Sequence, residues 1–157
     1  MAVALSGGLL LSSGCSPGEL LDISPPAGGP TAGDANNQSL ALSLGFGDFT
    51  FLLTGDVQLE AELDLIMRRA VAPTTILKVA HHGSATSTIE QFLAVAAPQM
   101  AVISVGADNS FGHPTEEVIA RLEEAVGFAG IYRTDTQGTI EFITDGKSLW
   151  VKVADRL

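Results

Sequence analysis

The stretch Thr75-Ile76-Leu77-Lys78-Val79-Ala80-His81-His82-Gly83-Ser84 decides how the chain is read. Residues 75–80 form a short β-rich run of the kind that makes a buried strand, and it leads directly into two imidazoles and a glycine. A histidine held at the end of a rigid strand, with Gly83 permitting close approach, is placed as a metal ligand requires. Two adjacent histidines on an extended segment point to opposite sides. One of His81 and His82 is therefore expected to bind a metal, while the other packs or hydrogen-bonds behind it. The alternative for each is a structural histidine satisfied within the fold.

Upstream, Leu59, Leu63, Ile66 and Met67 recur at spacings of three and four with Glu60, Glu62 and Asp64 between them, which predicts an amphipathic helix over 57–70. Before it, Ser39 to Leu44 and Phe49 to Leu53 read as a hairpin around Gly45-Phe46-Gly47-Asp48, ending at Thr54-Gly55-Asp56. Downstream, Ser87 with Glu90 has the form of a capping box for a helix running to Pro98. Ala101 to Val105 is a further strand. Thr115-Glu116-Glu117 starts a helix whose buried stripe is Val118, Ile119, Leu122 and Val126. Ile131 to Arg133 returns to β, and Thr139 to Ile143 with Ser148 to Val153 flanks Asp145-Gly146 as a closing hairpin. The order ββ, β-α-β-α-β-α-β, ββ is an α/β layer.

Two further residues fall just past predicted strands, where open α/β sheets place ligands. Gly55 lets the backbone turn so that the Asp56 carboxylate leaves the sheet edge; the alternative is that Asp56 caps the helix that follows. His113, in Asn109-Ser110-Phe111-Gly112-His113-Pro114, precedes a helix start and can touch a phosphate or donate a proton to a leaving oxygen. It can equally be a solvated turn residue.

Composition narrows the partners. With 157 residues, 46% hydrophobic and 17% charged, the chain can bury one core. Eight Lys and Arg against 18 Asp and Glu give a formal net charge of -10, which excludes coating nucleic acid through a basic surface. The single cysteine, Cys15, excludes an internal disulfide and a Cys-rich zinc module. Residues 1–11 are apolar but broken by Ser6, Gly7 and Gly8, too short for the ~20 residues of a membrane crossing. A strand pair turning at Cys15-Ser16-Pro17-Gly18 is expected there. A signal peptide is the alternative, but no Lys or Arg precedes the apolar run. The segment from Ser24 to Asp34 is a Pro/Gly-rich loop.

Taken together, Leu53-Thr54-Gly55-Asp56, Leu77 to Ser84, Ser104-Val105-Gly106, Asn109, Gly112-His113-Pro114 and Tyr132-Arg133-Thr134-Asp135 with Gly138 resemble the metallo-β-lactamase-like C-terminal domain of ComEC-type DNA-internalisation competence proteins. The resemblance covers residues 36–153. It implies the C-terminal portion of an αββα sandwich. Two metal ions, zinc or manganese, would lie between its sheets and activate water for attack on a phosphodiester or acyl bond. It also implies that Asp56 is the bridging carboxylate, which suits a group able to offset two dications at once, and that a histidine of the pair is the last ligand. His81 is preferred, because related phosphodiesterases carry His, an aromatic and Gly where this chain has His81-His82-Gly83.

The chain departs from that family in two places. The His-x-His-x-Asp-His cluster that supplies most ligands is absent. Where many relatives place another histidine, this chain has Asn36-Asn37-Gln38-Ser39, as the ComEC-type branch itself does. Asp56 with His81 and His82 is too small a set for a closed site. The expectation is one partial domain over 1–157, with a strand pair and loop in 1–35 and the motif-bearing core in 36–157. Met1 is then an internal start, and the fragment is inactive alone and has an open sheet edge. The expected partners are single-stranded DNA, the missing N-terminal part of the domain and the membrane channel of the parent protein. That places a soluble domain outside the cytoplasm on a cytoplasmic-membrane protein. The leading function is a nuclease or phosphodiesterase in DNA uptake. The alternatives are a non-catalytic scaffold module of the same fold and a small-molecule hydrolase such as a lactonase, which shares the same Asp and His chemistry.

Overall fold

Parallel strands covered on both faces explain the near-continuous apolar runs in the middle of the chain. The computed structural model describes residues 2–5, 9–12, 18–25 and 34–154. Its larger sheet has six strands in sequence order: β3 (Glu19–Asp22), β4 (Leu42–Phe46), β5 (Phe49–Leu53), β6 (Ile76–Lys78), β7 (Met100–Ile103) and β8 (Ile131–Arg133). The first three pair antiparallel and the last four are parallel. The helices α1 (Leu59–Met67), α2 (Glu90–Ala96) and α3 (Glu116–Val126) make the crossovers, and a short α4 (Thr134–Gln137) follows β8. A second, antiparallel sheet joins β1 (Ala2–Leu5) and β2 (Leu9–Ser12) to β9 (Thr139–Thr144) and β10 (Leu149–Ala154) in the order β10-β9-β1-β2. The chain is thus a mixed α/β protein with a mixed sheet.

Side-chain alternation divides the core in two. Leu52, Leu77 and Ile103 face the helices and pack with Leu65, Phe92, Val118 and Leu122. Their neighbours Phe51, Leu53, Ile76 and Val102 face the other way and pack with Leu44 of the same sheet and with Ile140 and Phe142 of the second sheet. Phe142 contacts both Phe51 and Tyr132 edge-on or tilted, with ring centroids 5.9 and 5.7 Å away. Three layers result: helices, sheet, sheet. On the outer face of β10, Trp150 is 52% exposed. Opposite the parallel strand ends, the hairpin tips of the two sheets are joined. Asp48 N donates to Gly146 O at 2.9 Å, and Lys147 Nζ reaches the Asp48 carboxylate at 3.3 Å.

From β5 to β8 and in the closing pair the element order follows the sequence reading, but five strands rather than three precede α1, α4 is additional, and several local expectations need correction. The strand pair expected to turn at 15–18 is not a pair, because β2 and β3 belong to different sheets and β2 pairs with β1. The closing strands are joined by four residues, 145–148, rather than a two-residue turn, with the Asp145 carboxylate accepting from Lys147 N and Ser148 N. The Ser87 capping box does not form. Its hydroxyl donates to Ala80 O and Ser84 O, and α2 starts at Glu90 with no side-chain cap of its own. The fully buried Glu62 of α1 takes that role, its two carboxylate oxygens accepting from Thr88 N at 2.6 Å and Ile89 N at 2.9 Å. Arg121 of α3 closes the same loop by donating to Ser87 O and Thr88 O. Only Thr115 caps as expected, accepting from Val118 N.

Burial pushes the Glu62 pKa up to about 7, against the pull of the two amides and of Arg121. A carboxyl whose pKa is higher folded than unfolded stabilises the fold in full below the unfolded value, and that contribution is lost as pH rises through 7. Urea unfolding from pH 5 to 8 is expected to show wild-type stability falling by up to about 3 kcal/mol from this group. Glu62→Gln should be less stable at pH 5, since its amide faces a backbone N–H, and should lack this part of the pH dependence.

Candidate functional site

The carboxyl ends of β5, β6 and β7 deliver the candidate residues to one rim. After β5 the backbone turns through buried Thr54, whose hydroxyl donates to Lys78 O at 3.3 Å, and then Gly55 at φ +58°. A Cβ at Gly55 would lie 2.7 Å from the Ser39 Cβ, so glycine is required there for space as well as for its dihedral. Ser39 Oγ accepts from Asp56 N. The next corner is held by buried Asn37, whose side-chain oxygen takes Gln58 N at 2.7 Å and whose amide donates to Glu60. Asn37 therefore serves the amide at the start of α1, and Asp56 is not the helix cap. Its carboxylate is left for other work.

The Asp56 and histidine corners lie side by side. His81 N donates to Gly55 O at 3.1 Å, one step beyond the β5–β6 ladder. The histidine pair is not extended, however, and does not splay to opposite sides. His81 and His82 both sit in the left-handed region, at φ +45° and +54°, a conformation that costs non-glycine residues of order 1–3 kcal/mol each and concentrates at functional sites. The ring that reaches the aspartate belongs to His82, with Nε2 3.5 Å from Asp56 Oδ1. Its other nitrogen, Nδ1, donates to Ser104 O at 2.6 Å, at the end of β7. That bond fixes the tautomer, so in the neutral ring the Nε2 lone pair faces the carboxylate oxygen.

His81 turns instead toward His113, ring centroids 5.8 Å apart and nearly edge-on. The Nδ1 atoms of His81 and His113 are both buried and lack a hydrogen-bond partner. His113 is positioned by Asn109, which accepts from His113 N and donates to His113 O and Gly106 O. Burial, then the neighbouring His81 and His82, push the His113 pKa down. Phe111 stacks on the His113 ring at 6.0 Å. The loop joins the histidine turn at Gly83, whose carbonyl accepts from Thr115 N at 3.0 Å.

Lys78 is the residue that the sequence reading missed. It ends β6 on the face toward the second sheet and donates from Nζ to Val79 O at 3.0 Å. Burial lowers its pKa and the Asp56 carboxylate opposes that shift. A cation beside the candidate aspartate was hidden because a lysine closing a strand ordinarily reads as a solvated end. Asp135, part of the quoted motif, is instead committed to Arg133, as a two-point ion pair at 2.5 and 3.0 Å.

Two opposed ligand atoms 3.5 Å apart match the edge of a tetrahedron about an ion with bonds of about 2.1 Å. Asp56 and His82 therefore fit as two ligands of a metal. Among the described residues no group of three or more His, Cys, Asp or Glu could hold a metal ion.

No family model matches the chain. Among curated proteins, ComE operon protein 3 of Bacillus subtilis (strain 168) is 36% identical over 120 residues, 76% of this chain and 15% of the relative. The competence protein ComA of Neisseria gonorrhoeae is 36% identical over 110 residues, 69% of this chain and 16% of the relative. The chain is homologous to competence proteins. Recombination protein 2 of Haemophilus influenzae is 38% identical over 87 residues, 55% of this chain. The chain spans 11% to 16% of the length of these relatives. Among the described residues no helix is long and apolar enough to cross a membrane.

Gly83 tests how tightly the two site loops are joined. It lies at φ +86°, and an added Cβ would meet the Pro114 Cβ at 2.5 Å. Gly83→Ala is expected to cost about 1–3 kcal/mol in thermal or urea unfolding and to move the His113 imidazole resonances in NMR spectra. Unchanged stability and spectra would show that the loops are not in contact.

Proposed function

We propose that this chain forms part of a metal-dependent phosphodiesterase or nuclease domain serving DNA uptake, built as a metallo-β-lactamase-like sandwich. The observation that carries the reading is the Asp56–His82 pair, two ligand atoms aimed at each other from neighbouring strand ends, with the imidazole oriented by the Ser104 carbonyl. The relatives' names support DNA as the substrate, one being a competence protein and another a recombination protein.

Zinc or manganese, when bound, supplies a Lewis acid that polarises a phosphoryl oxygen and lowers the pKa of water. Asp56 and His82 would hold it. The remaining ligands, of the His-x-His-x-Asp-His kind, have to come from outside the described residues. In the neutral His82 ring, the bond from Nδ1 to Ser104 O leaves the Nε2 lone pair as the one that would meet the metal. Lys78 adds a positive charge on the Asp56 side, where it favours a phosphate despite the net charge of -10. His113 is the proton carrier of the reading. An approaching phosphate favours its protonated form, and the proton then passes to the leaving oxygen. The site's position at the carboxyl rim, with the His82 and Asp56 side chains 45% and 41% exposed, leaves it open to a strand of nucleic acid.

The small ligand set favours one other reading, a scaffold module of the same fold that holds no metal. Calorimetric titration of a domain that also supplies the missing ligands, with zinc and with manganese, separates the two. Binding is expected, weakened about tenfold or more by Asp56→Ala and by His82→Ala and within about twofold of wild type in His81→Ala. No binding, or binding indifferent to all three substitutions, favours the scaffold. A domain that also supplies the missing ligands should cleave single-stranded DNA in preference to a lactone.

A further inference from the structure

Phe111 has no structural task that its surroundings reveal. It is 78% exposed, a large apolar ring on a loop whose other residues from 106 to 112 are small or polar. Isolated exposed aromatics need no explanation in general, but this one is held in a defined pose. Its ring lies nearly parallel to the His113 imidazole, at 18°, with the centroids 6.0 Å apart. The loop beneath it is braced by three hydrogen bonds of the Asn109 side chain, to Gly106 O, His113 O and His113 N. Space around the loop is open, since a Cβ added at Gly106 or at Gly112 would meet nothing within 4 Å. The ring thus offers mostly exposed aromatic surface beside a candidate catalytic histidine.

We propose that Phe111 is a stacking platform for one nucleobase of a single-stranded nucleic acid whose adjacent phosphate lies at the Asp56, His82 and His113 rim. The proposal rests on the phosphodiesterase reading for its substrate class and adds how the strand is gripped. Charge cannot do this work alone. Among the described residues five of seven basic side chains are paired with carboxylates: Arg68 with Asp64, Arg121 with Glu117, Arg133 with Asp135, Lys147 with Asp48 and Lys152 with Glu141. Stacking does not need a basic surface, tolerates any base sequence, and contributes about 1–3 kcal/mol per base. A lone ring among polar neighbours suits a base, which is flat with polar edges, better than it suits an apolar protein surface, which needs a contiguous patch. A duplex, whose bases are already stacked, would gain nothing from the platform.

Fluorescence anisotropy of a labelled oligothymidylate, with a chelator present so that nothing is cleaved, tests this on the whole chain. Phe111→Ala is expected to weaken binding at least about fivefold, and Phe111→Trp, which keeps an aromatic face, to match or exceed wild type. An abasic oligonucleotide of the same length should bind wild type and Phe111→Ala equally. Wild-type binding too weak to measure, or equal binding of the oligothymidylate by wild type and Phe111→Ala, overturns the platform; the second result would assign the ring to a protein contact. Equal weakening of both oligonucleotides by Phe111→Ala overturns it too, and assigns the ring to holding His113. Because the readout needs no metal, a failed hydrolase reading leaves a positive result standing. Retained cleavage with base-independent binding would count against the platform alone.

Discussion

The hydrogen bond from His81 N to Gly55 O is the constraint on which the rest of the rim depends. Parallel pairing of β5 and β6 ends at Leu53 and Lys78, and beyond that point nothing in a regular ladder would keep the two chain segments together. This one bond keeps them adjacent while both leave the sheet. It is made at the cost of two non-glycine residues in left-handed conformation, which has to be offset by what the turn holds in place. The imidazole of His82 is then drawn to the third strand by Ser104 O, so β5, β6 and β7 all contribute to one small volume.

Much of the layout was legible because it rests on short-range periodicity. The run 76–78 and its partners 51–53 and 101–103 are apolar at every position or nearly so, as strands with two covered faces must be, and the crossover helices follow from their spacing. The residues that orient the site were not legible in the same way. Asn37 and Ser39 look like loop residues, yet they hold the amides of Gln58 and Asp56 across some twenty positions of sequence. Ser87 and Glu90 formed a plausible local motif, and the partner that displaced it, Glu62, lies 26 residues from Thr88 on another helix. A cap delivered through tertiary structure leaves no local pattern to read.

The same distinction applies to the histidines. Their presence after a strand marked the site, but their orientation depended on where β6 stopped. It stops at Lys78, so the pair falls in a turn rather than on an extended strand, and both rings remain on the rim side instead of dividing between two faces. The ring expected to meet Asp56 was that of His81, and the one that does is His82. His81 pairs with His113, a contact that links the second and third motifs of the chain.

The bond between Asp48 and Gly146 gives the two sheets a fixed end. Since β5 runs from that tip toward Gly55, the joined end and the rim are at opposite poles of the same strand. The tie therefore sets the spacing of the two sheets at the end remote from Asp56, and the aromatic contacts of Phe142 with Phe51 and Tyr132 hold that spacing farther along the strands.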